Sequence, residues 1–295
     1  MRSLKIATRK SALAQWQADA VISLLAASTG AACEKVLIST TGDQLLGVTL
    51  EKIGGKGLFV KEIETALLRG EADAAVHSLK DVPHELPEGC ELAAMLLRDD
   101  ARDAFISRDG TPFFDLPPGA KIGTSSRRRE QQLRLLRPDL EIAPIRGNVQ
   151  TRLKKLAADG LDGTILAVAG LKRLGLESVI TDYFTPQQML PAVGQAALGV
   201  ESVSTHPQAA LFRGLDEPDA RVCVEAERAF MRTLNADCHA AVGAYAQLDG
   251  DALRLSGMFE LNGRIVKREL FGAKWDFTEL GRRLAEQILA ELTIA

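Results

Sequence analysis

The sequence predicts an α/β protein whose parallel sheets carry helices on both faces, followed by a small α+β domain with a three-stranded antiparallel sheet. Three observations lead there. Strand and helix signals alternate from Leu4 to Val168. After Pro218 the pattern becomes one helix, three strands joined by short polar turns, and a closing helix. Within the alternating region lies an arginine-rich stretch, Lys121 to Leu153, whose polar residues coincide with predicted strand ends. In α/β folds the strand ends and the helix N-termini that follow them are where ligands bind.

The elements follow in order. Leu4 to Thr8 reads as a strand, and Ser11 caps a helix whose apolar positions Leu13, Trp16, Val21, Leu24 and Leu25 fall at helical spacing. Val36 to Ser39 is a second strand. Gly54, Gly55, Lys56 and Gly57 are too glycine-rich for a regular element and predict a mobile loop. Phe59 to Leu68 is a helix stopped by Gly70, and Asp73 to Leu79 is a strand ending at His77, Ser78, Lys80 and Asp81. Pro83 and Pro87 break the chain there. Lys121 to Gly123 leads into a helix starting near Ser125 or Ser126. Leu140 to Arg146 is a strand, Asn148 to Ala158 a helix, and Thr164 to Val168 an apolar strand. In the last part Val222 to Leu234 is helical, and strands near 242–248, 252–260 and 264–271 form a meander. Asp249-Gly250 and Asn262-Gly263 are preferred type I′ turns for its hairpins. Leu280 to Leu292 is an amphipathic helix. No internal repeat is visible.

Composition narrows the function. The chain has 295 residues, 46% apolar and 25% charged, with a net charge of -3. That suits two or three packed domains. Seven arginines (127, 128, 129, 134, 137, 146 and 152) face only three acids (Glu130, Asp139 and Glu141) within 121–153. A local arginine excess in an acidic chain predicts a pocket for a compact polyanion, because the guanidinium fork grips carboxylates and phosphates. It speaks against a nucleic-acid surface, as does an aromatic content of 5%. No apolar run is long enough to cross a bilayer, and MRSLKIATRK does not read as a signal peptide. Cys33, Cys90, Cys223 and Cys238 have neither zinc nor disulfide spacing, which predicts a reduced cytosolic protein and no metal site.

Individual residues admit more than one reading. Arg128 and Arg129 fall in the first turn of a helix opened by serines, where N–H groups, hydroxyls and guanidiniums can converge on one anion. Arg134 and Arg137 fit a solvated face. Arg146 precedes Gly147 at a strand end, which favours a binding role, and Arg152 is balanced between the two. Asp81 suits either acid–base work or a turn before Pro83. Cys238, in Asp-Cys-His, is either an activated thiol or a small buried side chain.

Several strings taken together resemble the porphobilinogen deaminase (hydroxymethylbilane synthase) family. They are Lys5-Ile-Ala-Thr-Arg-Lys-Ser11, Gly54-Gly-Lys-Gly-Leu-Phe-Val60, Val76-His-Ser-Leu-Lys-Asp-Val-Pro83, Gly123-Thr-Ser-Ser126, Arg146-Gly-Asn-Val149, Leu166-Ala-Val-Ala-Gly-Leu-Lys-Arg-Leu174 and Leu190-Pro-Ala-Val-Gly-Gln195. The resemblance implies two periplasmic-binding-protein-like domains, 1–97 with 194–215 and 101–190, and a third domain, 218–295. It implies head-to-tail condensation of four porphobilinogen molecules with loss of ammonia, on a dipyrromethane cofactor bound by a thioether to Cys238. Hydrolysis then releases hydroxymethylbilane. Asp81 is the implied catalytic carboxylate. Arg9, Ser11, Lys80, Thr124, Ser125, Ser126, Arg128, Arg129, Arg146, Arg152, Arg173 and Gln195 are the implied binding residues. The loop at Gly54, Gly55, Lys56 and Gly57, with Phe59, is the implied cover. A cytoplasmic monomer is expected, with no membrane or nucleic-acid partner.

The sequence departs from the family pattern at a few places. Arg127 stands where an aliphatic residue is common and is expected to face water. Ala236 and Asp237 replace glycines, and Ala196 replaces a frequent glycine at small expected cost. A non-catalytic binder of a small polycarboxylate on the same two-lobed scaffold is the alternative, and such a binder would need neither Asp81 nor Cys238.

Overall fold

The computed structural model describes residues 2–44, 59–236 and 240–293, so the calls at Gly54, Gly55, Lys56, Gly57, Asp237 and Cys238 lie outside the described residues. The strands are β1 (Leu4–Arg9), β2 (Cys33–Ile38), β3 (Ala74–Ser78), β4 (Cys90–Leu96), β5 (Asp103–Ser107), β6 (Lys121–Gly123), β7 (Glu141–Ala143), β8 (Gly163–Ala167), β9 (Asp182–Tyr183), β10 (Leu198–Val203), β11 (Val242–Asp249), β12 (Ala252–Leu261) and β13 (Arg264–Ala273). The helices are α1 (Ala12–Thr29), α2 (Thr41–Gln44), α3 (Lys61–Leu68), α4 (Arg127–Leu136), α5 (Val149–Ala158), α6 (Val168–Arg173), α7 (Ala209–Arg213), α8 (Pro218–Thr233) and α9 (Phe277–Thr293).

Local chemistry explains the helix starts. Ser11, Ser126 and Asn148 each adopt extended backbone and accept an N–H from the first turn of α1, α4 and α5. Ser126 and Asn148 belong to segments that the sequence places at ligand-binding strand ends, and Ser11 is the cap it expects for α1. Gly30, at φ +67°, closes α1.

Two five-stranded sheets share one plan, β2-β1-β3-β10-β4 and β7-β6-β8-β5-β9. The sheets are mixed and not purely parallel as expected: β10 runs antiparallel to β3 and β4, and β5 antiparallel to β8 and β9. The cause is the route of the chain. β4 and β9 end on the cleft side, the chain crosses there to the other lobe, and the next strand must start at the cleft and run away from it. The likeness of the two sheets is a repeat of topology that the sequence does not display.

Each sheet is packed on both faces. In the first lobe, Val21 and Leu25 of α1 and Phe212 of α7 cover one side, with Ile6, Val76 and Val200 beneath them. Ile63 and Leu67 of α3 cover the other, over Ala7 and Ala75. In the second lobe, Phe105, Phe113, Ile122, Leu133 and Phe184 form the larger of two clusters. The C-terminal meander packs its inner face on α8 and α9 through Phe230, Leu255, Leu284 and Ile288. Asn262 and Gly263 take φ +53° and +82°, as a type I′ turn requires. The other hairpin differs from expectation by one residue. Asp249 pairs with Ala252, so Gly250-Asp251 forms the loop, with positive φ only at Gly250.

Behind β3, the strand that leads to Asp81, lies a buried polar group. His77 Nε2 sits 2.9 Å from Glu201 Oε2, both almost without solvent contact. Glu64 of α3 joins them: burial, then the Glu201 charge, push its carboxyl up to about 7, with His77 opposing. A folded-state value above the ordinary one means stability is fully present below about pH 4.5 and is lost as pH rises through 7. The difference in unfolding free energy between wild type and Glu64→Gln, followed by denaturant melts, should therefore fall across that window. A flat difference would contradict the assignment.

Candidate active site

A cleft of about 740 Å³ opens between the lobes, within the usual size range for organic ligands. The carboxyl ends of β1, β3, β6, β7 and β8 supply its walls, so Arg9, Lys80, Asp81, Thr124, Ser125, Ser126, Arg146, Arg152, Arg173 and Gln195 all line it. Among the described lining residues the acids are Asp81 and Glu130, far fewer than the arginines and lysines. Glu130 is paired with Arg134 on the next turn of α4.

Asp81 ends the short 3-10 turn Leu79–Asp81 that β3 runs into. Its side chain is 36% exposed, and Oδ2 lies 3.9 Å from Arg9 Nη1. The Arg9 guanidinium stacks over the Phe59 ring at 4.4 Å, which fixes it beside the carboxylate. Ser11 Oγ accepts the Ala14 N–H, so this predicted binding residue is also the cap of α1.

The opposite wall is the loop into α4. Thr124 is buried and its Oγ1 accepts the Ser126 N–H, while Ser125 Oγ donates to Ile145 O. Those bonds hold the loop with its serines at the cleft. Arg146 and Arg152 follow from the β7–α5 connection. Gly147 between them has φ +123°, and a Cβ there would come within 2.5 Å of Thr151 Cγ2. Arg152 Nε donates to Gly147 O at 2.8 Å. Burial, then repulsion from Arg129, pulls Arg152 down to about 10, with Asp81 opposing. Burial also lowers Arg146. Lys80 falls to about 8, through burial first and Arg129 second, with Asp81 and Asp103 opposing. Burial lowers all three, repulsion from Arg129 adds to it at Lys80 and Arg152, and a carboxylate brought against those two would restore their basicity.

Arg128 and Arg129 behave differently. Both are buried and paired with Asp103, at 2.8 and 2.7 Å. Arg128 also donates to Leu190 O and Arg129 to Ile165 O. Gln195 Nε2 donates to Asp103 Oδ1 and Ala101 O, and its Oε1 accepts from Lys80. Burial raises the Asp103 carboxyl, but the two guanidiniums outweigh it and hold it well below the usual range. Asp103 is the residue the sequence reading missed. Its only sequence signal is indirect, since buried arginines require an acid.

Arg173 donates to Leu97 O and Ala196 O, tying both interlobe crossings together. Ala196 has φ +73°, a left-handed conformation that costs a non-glycine residue about 1 kcal/mol, so the loss of glycine there is not free. Arg127 does not simply face water: its Nη2 reaches Glu260 Oε2 at 3.3 Å. Among the described residues no group of His, Cys, Asp and Glu could hold a metal ion, and no helix is long and apolar enough to cross a membrane.

A family model described as porphobilinogen deaminase, dipyromethane cofactor binding domain, matches residues 4–210, and one described as porphobilinogen deaminase, C-terminal domain, matches residues 221–290. The chain belongs to the porphobilinogen deaminase family. It is 56% identical to the porphobilinogen deaminase of Clostridium botulinum strain Langeland over 286 residues, covering 97% of this chain and 99% of the relative. It is 54% identical to that of Clostridium acetobutylicum over 288 residues, covering 98% and 99%. A more distant likeness is to the periplasmic VFT2 domain of Bordetella pertussis BvgS, at 14% identity and a TM-score of 0.42, over 72% of this chain and 85% of that one. The comparisons do not support the non-catalytic binder.

The donor set fits a dipyrromethane, a small polycarboxylate: serine hydroxyls at the cap of α4, Arg146 and Arg152 line the same cleft as Lys80 of the first lobe. Replacing Asp103 by Asn leaves two guanidiniums buried without a full counter-charge. Asp103→Asn should lower unfolding free energy by about 3–5 kcal/mol in denaturant melts. A loss below 1 kcal/mol would show that the triad is not what holds the crossings.

Proposed function

We propose that this cleft polymerises four porphobilinogen molecules head to tail, releasing one ammonia for each, and frees linear hydroxymethylbilane by hydrolysis in tetrapyrrole biosynthesis. The observation that carries the reading is the pairing of one cleft carboxylate, Asp81, with a wall of cations built from both lobes. Dipyrromethane, held through Cys238, supplies the pyrrole α-carbon from which the chain grows.

The protein's own groups then have distinct tasks. Arg9, Ser11, Lys80, Ser125, Ser126, Arg146 and Arg152 hold acetate and propionate groups, which charge-assisted hydrogen bonds favour. Asp81, at the cleft beside Arg9, would take the pyrrole N–H groups of the bound rings. As the aminomethyl C–N bond of an incoming porphobilinogen breaks and the nitrogen leaves with a proton as ammonia, positive charge develops on the ring. A fixed carboxylate lowers the energy of that cation. The dipyrromethane would supply the nucleophilic α-carbon, and the proton lost there balances the one that leaves with the ammonia. Thr124, Arg128, Arg129, Arg173 and Gln195 act by keeping this wall and the crossings in place. The domains are taken as 1–97 with 194–215, 101–190 and 218–295. Cys33, Cys90 and Cys223 are free thiols, in keeping with a cytoplasmic chain, here taken as a monomer.

Asp81→Asn should reduce turnover by roughly 10²–10³ with an unchanged melting temperature, because it removes one preorganised charge from the transition state. Near-normal turnover would sink the assignment. Arg146→Leu should lower hydroxymethylbilane formed per porphobilinogen consumed by about 10-fold or more, as an unpaired carboxylate in the cleft costs roughly 1.5–3 kcal/mol. Unaltered product yield would argue against that role.

A further inference from the structure

Arg127 is the first helical residue of α4, directly after the Ser126 cap and directly before Arg128 and Arg129. Its guanidinium leaves the second lobe altogether and donates to Glu260 on β12 of the C-terminal sheet. The Arg127 side chain is 48% exposed, but that of Glu260 is only 8% exposed, so the acid is fixed and the arginine comes to it.

Glu260 makes two further bonds. Oε1 accepts the Gly263 N–H at 2.7 Å, closing the turn between β12 and β13. Its own N–H donates to Ala241 O at 3.1 Å. Ala241 stands three positions after Cys238 in the sequence. Glu260 therefore joins the hairpin and the start of the helix carrying the buried arginine pair through its carboxylate, and the chain that leads from the cofactor cysteine through its backbone N–H.

The surrounding contact is close. The strand register places Gly243, Met258 and Lys267 in one row beside this pair. A Cβ at Gly243 would meet Pro191 O at 3.0 Å and Arg128 Cδ at 3.4 Å, so the sheet rests directly on the second lobe. Lys267 is half-buried, and burial followed by repulsion from Arg128 lowers its basicity, which places the two cations near each other across this contact.

We propose that Arg127 and Glu260 are a positioning pair: together they fix the N-terminus of α4 against the C-terminal sheet. The inference rests on the function proposed above. An aliphatic side chain at 127 would make no such bond, so the arginine adds an electrostatic tie to the packing of this contact. The pair is a positioning device because Arg127, at the border of the cleft, spends its guanidinium on Glu260, which lies outside the cleft. Loosening it changes how the growing chain is presented and not how porphobilinogen binds, so kcat moves and KM does not.

The test uses the full-length protein carrying its cofactor, with porphobilinogen as substrate, in R127L, E260Q, the double variant and the swapped pair R127E/E260R. Each single variant should lose about three-fold in kcat at unchanged KM, the size of a partly screened ion pair. The double variant should be no worse than either single one, and the swapped pair should regain part of the loss. Rising salt should bring wild-type kcat toward that of R127L while leaving R127L unchanged. If R127L does not fold, the salt titration of the wild type decides alone. Wild-type kcat in R127L, multiplied losses in the double variant, or a salt-independent wild type would each overturn the proposal. A wild-type protein that consumes no porphobilinogen overturns the function reading, and this inference with it.

Discussion

Asp103 opens β5 at the point where the chain has just crossed from the first lobe to the second, fully buried, with Arg128, Arg129 and Gln195 converging on it. A carboxylate in that position is tolerable only with such partners, and the arginines are tolerable only with the carboxylate. The cluster joins three separate pieces of chain: the outgoing crossing, the returning crossing at Gln195, and the helix whose N-terminus faces the cleft. The geometry of the site follows from it, because the lobes meet where these pieces meet.

The cluster also sets the electrostatics of the cleft. Two guanidiniums against one carboxylate leave a residual positive charge, and it is felt by its neighbours. Repulsion from Arg129 follows burial among the causes that lower both Lys80 and Arg152. The wall is thus built electropositive in advance, with its charges held in place and partly desolvated. Preorganised charge of this kind favours multiply charged carboxylates over singly charged ones, and it requires no rearrangement when they arrive. Asp81, with Arg9 and the Phe59 ring beside it, is a negative point in that field, and the proposed function places the transient cation there.

Much of this was legible in the sequence, for physical reasons that act locally. Ser11, Ser126 and Asn148 cap helices because their side chains compete for free N–H groups at the first turn. Asn262-Gly263 turns as expected because both residues tolerate positive φ. The arginine excess pointed to the polyanion cleft. What stayed hidden depends on contacts distant in sequence. Asp103 follows Asp99 and Asp100 closely, and nothing in spacing says which of the three is buried. β5 and β10 run antiparallel because of where the chain crosses between lobes. Glu260 reads as an ordinary residue before a turn, yet it is the partner of Arg127. The assignment of Cys238 rests on family resemblance alone.

The most direct test of the account is the intact mass of the purified protein under denaturing conditions, beside that of Cys238→Ser. The account predicts that the wild type carries a covalent addition equal to two pyrrole units and that the variant carries none. A wild-type chain that keeps its bare mass after incubation with porphobilinogen would contradict it.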